Sequence, residues 1–370
     1  MARTARKPET EKPSLESLRR RIDEIDRKLL DLISMRAGIV EQVGQLKHTT
    51  GEVVYVPARE RAIYERMIAE NPGPLGPEQI KRIYTEIISA CRALEHVPRV
   101  AFLGPELTYS HEAARMRFGS SVEFVPESSI AGVFQALDNG RSDFGVVPVE
   151  NSTDGTITLT LDLLIETSLV IIGEILLPVR HSIGSRDGDR SRVKKIVSHQ
   201  QSLAQCRGYI AANYPHCELE AVASNGFAAQ RAAEDPDCAA IASAAALRAN
   251  NLKIIAESIQ DLATNTTRFL VMGKRPGDRC GADKTTVLFT VADKVGALHE
   301  AISLFARNDI NITKIESRPL RSRPWEYIFF VDFGGHRDDP KIKRALKALE
   351  RKALFLKVLG SYPEGRSASA

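Results

Sequence analysis

The sequence predicts a multidomain chain in which an all-α block is followed by a two-lobed α/β block and then a small α+β block. Three observations carry this. From Leu15 to Lys47 apolar residues recur at helical spacing with no proline and only two glycines. From about residue 99 to 275 short β-rich runs alternate with helical stretches. From 284 to 363 the pattern reads strand, helix, strand, strand, helix, strand. The expected boundaries are 1–97, 98–275 and 284–363.

In the first block, Leu18, Ile22, Ile25, Leu29, Leu32, Ile33, Ile39, Val43 and Leu46 form one apolar stripe. A helix of about 33 residues spans roughly 50 Å, more than a small domain can cover, so it is expected to pair with a second copy. Pro57 opens a second helix through about Ala69, because proline is tolerated at the first helical position. Residues 71–77, rich in Pro and Gly, make a turn, and a third helix runs to about Glu95.

In the second block, Val100–Leu103, Phe144–Val149, Ile171–Leu177, Lys195–Ser198, Ala239–Ser243 and Phe269–Met272 read as buried strands. Helices are expected over Ser128–Leu137, Ser202–Ala212 and Gly226–Ala233. In the third block strands are expected over Thr285–Val291, Ile310–Ser317, Glu326–Phe333 and Ala353–Val358. Helices over Ala297–Ala306 and Pro340–Glu350 complete a ferredoxin-like order.

Composition narrows the function classes. The 370 residues are 43% hydrophobic and 26% charged, enough apolar material for several cores. A net charge of +4 is too small over this length to mark a nucleic-acid binder. Five scattered cysteines without a CxxC pair argue against a disulfide scaffold or cysteine-rich zinc site, and fit a reducing cytoplasm. The Leu169–Val179 run carries Glu174 and is too short to span a bilayer. Residues 1–14 lack the apolar core of a signal peptide.

Arg36 and Lys47, 11 residues apart, project from one helix face about three turns apart. Arg19 lies nearly opposite and can join them only from another copy. Taken alone, these charges read first as a solvated helix face, and the family resemblance reverses that reading. Their setting resembles the all-helical chorismate mutase family: Leu18–Asp26, Met35-Arg36, Gly44-Gln45-Leu46-Lys47, Arg59-Glu60-Arg61 and Ile87–Glu95. The resemblance implies an intertwined dimer in which a pericyclic rearrangement is driven by holding a dicarboxylate in its reactive shape and stabilising the breaking ether oxygen. It implies that Arg36 and the partner's Arg19 grip the carboxylates. It also implies that Lys47 and a protonated Glu95 donate to the ether oxygen, that Glu60 accepts from the ring hydroxyl, and that Arg59 and Cys91 shape the pocket. Val56 departs from members with an acidic residue there and has no role.

Four stretches of the second block resemble prephenate dehydratases: Ala101–Ala114, Gly145–Ile157, His199–Cys206 and Asn265–Phe269. Without the family, each puts hydroxyl or amide residues at the end of an apolar strand, where they either cap helices or bind an anion. The resemblance implies two lobes like a type II periplasmic binding protein, with Thr267 donating toward the leaving hydroxyl of prephenate. It implies substrate contacts from Ser110, Asn151, Ser152, Thr153, Gln201 and Ser202. Arg268 is either a carboxylate partner or a hinge brace, and His199 orients rather than acts as an acid. Leu107 stands at the family's usual glycine and Gln200 at its usual proline.

Asp293–His299 and Ile315–Pro319 resemble the ACT domain of phenylalanine-controlled enzymes. The resemblance implies a phenylalanine effector site at Gly296, Ala297 and Leu298 with Glu316, Ser317 and Arg318, between ACT domains. Together the resemblances imply a cytoplasmic enzyme of phenylalanine synthesis, dimeric or larger, acting on chorismate and prephenate. No cofactor, metal, nucleic acid or membrane is called for. Two rivals stay open: a dehydratase acting on arogenate, and a phenylalanine-sensing binding protein without catalysis.

Overall fold

The computed structural model describes residues 14–50, 57–320 and 326–365, with residues 47–50 described by their backbone. The first block is three helices: α1 (Leu15–Thr50), α2 (Pro57–Ala69) and α3 (Pro77–Ala93). Proline begins both α2 and α3, where its missing N–H is not needed. Tyr64, Ile80, Ile88 and Cys91 are buried where α2 and α3 pack. The stripe along α1 stays open in the single chain: Ile22, Ile25 and Leu29 are each at least half exposed.

The second block is two lobes joined by two crossings. The first lobe contains β1 (Arg99–Leu103), α4 (Tyr109–Phe118), β2 (Glu123–Glu127), α5 (Ile130–Asp138), β3 (Phe144–Asn151), β4 (Gly155–Thr156), α6 (Thr158–Glu166) and β5 (Val170–Pro178). The second holds β6 (Ser182–Ser185), β7 (Lys195–His199), α7 (Gln200–Gln205), α8 (Arg207–Asn213), β8 (Glu218–Val222), α9 (Asn225–Glu234), β9 (Cys238–Ala242), α10 (Ala244–Ala249) and β10 (Lys253–Ala256). The chain then returns through β11 (Thr266–Gly273) to complete the first sheet, ordered β2-β1-β3-β11-β5 with β4 beside β3. The second sheet runs β10-β6-β9-β7-β8. The outgoing and returning crossings lie side by side, with Val179 N–H donating to Asn265 O at 2.8 Å.

Thr108, Ser129, Ser224 and Ser243 each cap a helix, accepting from a backbone N–H in its first turn. The helix expected over Ser202–Ala212 is broken at Cys206 into α7 and α8. Asp261 is the cause: its N–H donates to Gln205 O at 2.8 Å, and its carboxylate takes the Gly208 and Tyr209 N–H groups that open α8.

The third block comprises β12 (Asp283–Thr290), α11 (Ala297–Arg307), β13 (Ile312–Pro319), β14 (Tyr327–Gly334), α12 (Pro340–Glu350) and β15 (Phe355–Pro363). Its antiparallel sheet is ordered β13-β14-β12-β15, the ferredoxin-like arrangement. One face meets its helices through Val287, Phe289, Phe305, Val331 and Phe333. The other docks on the first lobe, where Leu288, Ile328, Phe330, Leu359 and Tyr362 share a core with Val147, Leu161, Ile171 and Leu270. A Cβ on Gly360 would sit 2.1 Å from Ile171 O, so glycine is what lets β15 approach β5 backbone to backbone.

Candidate functional site

Thr267, the second residue of β11, lies directly opposite Asn151, the last residue of β3, so sheet register alone brings two distant motifs together. Both are buried. Asn151 Nδ2 donates to Thr267 Oγ1 at 2.8 Å and to Asn265 Oδ1 at 2.9 Å. Its own Oδ1 accepts the Thr153 and Asp154 N–H groups at 2.9 and 3.1 Å. Two backbone donors therefore dictate which way the Asn151 amide faces. With a lone pair of Thr267 already engaged, its O–H is left to donate to a bound molecule.

The second lobe reaches the same place through α7. Asp154 Oδ2 accepts from Gln205 Nε2 at 2.9 Å and from Gln201 Nε2. Gln205 Oε1 accepts from Asn265 Nδ2 at 2.9 Å and faces His181 Nε2 at 2.8 Å. His181 Nδ1 meets the Tyr109 hydroxyl, also at 2.9 Å. Burial lowers the His181 pKa, with the Gln205 hydrogen bond opposing, and burial pushes Tyr109 well up. Burial thus favours a neutral imidazole at the crossing between the lobes.

Ser152 stitches the loop to the returning crossing: its N–H donates to Thr266 O, and its hydroxyl accepts the Thr266 N–H, both at 2.9 Å. Thr153 and Gln201 are exposed beside it. Ser202, with Ser198, donates instead to Asn225 Oδ1, anchoring α7 to α9. Ser110 is buried in the first turn of α4. His199 caps α7, accepting the Gln201 N–H at 3.3 Å, and Gln200 takes the first helical position. Leu107 adopts left-handed backbone, φ 64°, the region that favours glycine, and its N–H donates to His111 Nδ1 at 3.0 Å.

The structure draws Arg268 out of this cleft. Successive residues of a strand face opposite sides, so Thr267 in the cleft sends Arg268 the other way. Its Nε meets Glu174 at 2.7 Å, its Nη1 Asp332 at 2.6 Å and its Nη2 the Tyr362 hydroxyl at 3.0 Å. Burial works against its charge, but Tyr362, Asp332 and Glu174 outweigh that and hold it more firmly protonated. Arg268 braces the first lobe against the third block.

In the helical block, Arg36 on α1 and Glu95 after α3 each present a buried polar atom, Nη1 and Oε2, with no hydrogen-bond partner. Glu95 lies across α1 at Gly44, where a Cβ would come within 2.6 Å of Glu95 Cγ. Cys91 is buried one turn before Glu95. The Lys47 side chain lies outside the described residues, as does Val56. Arg59 is exposed at the start of α2, and Arg19 is exposed about 25 Å along α1 from Arg36. Glu60 points elsewhere: its Oε1 accepts Arg92 Nη1 at 2.7 Å, and Arg92 Nη2 donates to Phe118 O of the second block at 2.9 Å. Burial raises the Glu60 pKa against the pull of Arg117 and Arg92.

In the third block Gly296 takes φ 81° just before α11, and a Cβ there would meet nothing within 4 Å. Ala297 is buried and Leu298 partly so. On β13, alternation splits the second motif. Glu316 accepts the Thr156 hydroxyl at 3.0 Å and Arg318 pairs with Asp162 at 2.9 Å, both on the first lobe, while Ser317 is exposed on the other face.

Sequence reasoning named no role for Tyr109, Asp154, Gln205 or Asn265, although all lie inside its quoted motifs. His181 lies in none of them. Among the described residues no group of three or more His, Cys, Asp or Glu side chains is placed to hold a metal ion, and no helix is long and apolar enough to cross a membrane.

Family models match in chain order: chorismate mutase type II over 18–96, prephenate dehydratase over 100–277 and the ACT domain over 285–351. A bifunctional chorismate mutase/prephenate dehydratase of Aquifex aeolicus is 42% identical over 95% of this chain and 98% of its own length. One from Pseudomonas aeruginosa is 43% identical over 95% and 98%. Among solved structures, the prephenate dehydratase of Arthrobacter aurescens in complex with L-Phe is 33% identical, covers 72% of this chain and 90% of its own, and superposes with a TM-score of 0.66.

Proposed function

The chain belongs to the bifunctional chorismate mutase/prephenate dehydratase family, and from that premise we propose how its three blocks divide the work. It converts chorismate to prephenate and prephenate to phenylpyruvate, and phenylalanine restrains it through the ACT domain. We assign the mutase to 1–97, the dehydratase to 98–275 and the regulatory domain to 284–363.

The observation that carries the dehydratase assignment is the Asn151–Thr267 pair. Prephenate loses its ring carboxylate as carbon dioxide, and the electrons of that C–C bond enter the ring as the C–O bond to the hydroxyl breaks. The departing oxygen leaves more readily with a hydrogen bond already aimed at it. Thr267, its lone pair engaged by an amide that two backbone N–H groups hold, supplies that bond without reorganisation. Ser110, Ser152, Thr153, Gln201 and Ser202 line the approach.

The mutase reaction breaks an ether C–O bond and forms a C–C bond within one molecule, so it needs shape and charge rather than a nucleophile. The unpartnered Arg36 Nη1 and Glu95 Oε2 support a site between α1 and α3. Lys47, Arg59, Cys91 and Glu60 complete its contact set; Arg92 holds only Oε1 of Glu60, whose buried Oε2 has no partner. The open stripe of α1 and the distance of Arg19 from Arg36 support a dimer in which Arg19 comes from the second copy. A cytoplasmic setting fits the five cysteines, all free thiols.

Chorismate added to pure protein, with prephenate and phenylpyruvate followed over time, tests both assignments. Thr267→Ala is expected to stop at prephenate, and Arg36→Ala to process only supplied prephenate. Phenylpyruvate formed by Thr267→Ala at the parent rate would remove Thr267 from the chemistry. Prephenate and arogenate turned over side by side decide between those substrates.

A further inference from the structure

The directional logic that settles Asn151 continues outward to a residue without an assigned role. Asn265 accepts from Asn151 through Oδ1 and must therefore turn its Nδ2 donor to Gln205. Gln205 receives that donor on Oε1, while its Nε2 donates to Asp154. The atom that His181 Nε2 faces at 2.8 Å is thus an acceptor, which requires a proton on Nε2. His181 sits between the lobes, with Tyr109 of the first at Nδ1 and Gln205 of the second at Nε2. Its backbone N–H is tied as well, to Gln260 Oε1 at 3.0 Å.

Building on the dehydratase reading, we propose that His181 is a positioning residue for that reaction: as the Nε2–H tautomer it holds the Gln205 amide, and through Gln205 and Asn265 it steadies the Asn151 amide that presents Thr267. It touches no reacting atom and transfers no proton. The ring is buried, and burial favours its neutral form. The Tyr109 hydroxyl lies 2.9 Å from both His181 Nδ1 and Arg180 O. With neutral His181 it donates to Nδ1, and with a protonated ring it accepts from Nδ1–H and turns its own proton to Arg180 O. The Nε2–H bond to Gln205 survives either way. Glu112 near Tyr109, Asp154 beyond Gln205 and Asp261, whose N–H donates to Gln205 O, are acidic groups beside this network, and His181 pairs its ring with Tyr109 and Gln205 instead.

The test uses the full chain, whose mutase activity reports on each preparation's integrity. A glutamine amide can donate from near the Nε2 position, an asparagine amide only from near Nδ1, and leucine not at all. With supplied prephenate, His181→Leu is expected to lower kcat roughly tenfold, the effect of losing one buried hydrogen bond felt in the transition state, with KM within about twofold. His181→Gln should restore most of kcat and keep the parent's pH profile, and His181→Asn should remain impaired. Ring 15N shifts of the parent should show the proton on Nε2. Parent-like kcat in the leucine variant, glutamine no better than asparagine, loss of a pH limb in the glutamine variant, or an Nδ1–H tautomer would each overturn the proposal. A leucine variant that loses mutase activity too leaves the glutamine–asparagine comparison and the ring shifts to decide. A parent that forms no phenylpyruvate would overturn the dehydratase reading and this role together.

Discussion

Gly360→Ala should undock the ACT sheet from the dehydratase lobe with a single methyl group. The new Cβ would lie 2.1 Å from Ile171 O and within 3.0 Å of the Ile171 backbone C and N, main-chain atoms of β5 that no rotamer change can move. To reach ordinary contact, β15 must retreat by about 1.3 Å or more. That stretch falls on bonds of 2.6–3.0 Å: Arg268 to Asp332 and Tyr362, Lys284 to Glu174, and Gly365 N–H to Glu174. Glu174 is buried, and separating a buried ion pair costs about 3–5 kcal/mol because the partner left behind stays desolvated. For a unit of this size that corresponds to a Tm lower by about 10 °C. Calorimetry of the full chain should show the drop, and phenylalanine should inhibit the variant's dehydratase less while mutase activity holds. A variant that melts with the parent and responds fully to phenylalanine would show that the close approach at Gly360 neither holds nor couples the two domains.

Glu95→Gln should keep or raise the mutase rate, because an amide can donate to the ether oxygen, whereas Glu95→Ala should lower it by about tenfold or more. An alanine variant as fast as the parent would reject that role. Gly296→Val should abolish the phenylalanine response through backbone strain at φ 81°, about 1–3 kcal/mol, rather than through bulk. Gly296→Asn tolerates that geometry and should retain more of the response, and a full response in both variants moves the effector site elsewhere. Acid should destabilise the chain early. Burial lowers the pKa of His181 and His111 from their usual 6.5, so below that pH the unfolded chain takes up protons that the folded one refuses. Urea midpoints should fall between pH 7.5 and 5.5, and by less in His181→Gln; midpoints equal at both pH values would contradict the assignment.

Local pattern was enough for much of this protein. The helical period of α1, the β/α alternation of the lobes and the βαββαβ order each depend on neighbours a few residues apart, so they are legible in the sequence. So were the motif residues Asn151 and Thr267, although only strand register shows that they face each other. What stayed hidden depends on partners far along the chain. The break at Cys206 is made by Asp261, and the turn of Arg268 away from the cleft is fixed by Glu174 and by Asp332 and Tyr362 of another domain. Glu60 is claimed by Arg92, itself tied to Phe118. His181 belongs to no motif and gains its place from Tyr109 and Gln205, 72 and 24 residues away. A side chain's residue type states which bonds it can make. Which of them it makes is decided when folding removes water and leaves one set of partners within reach.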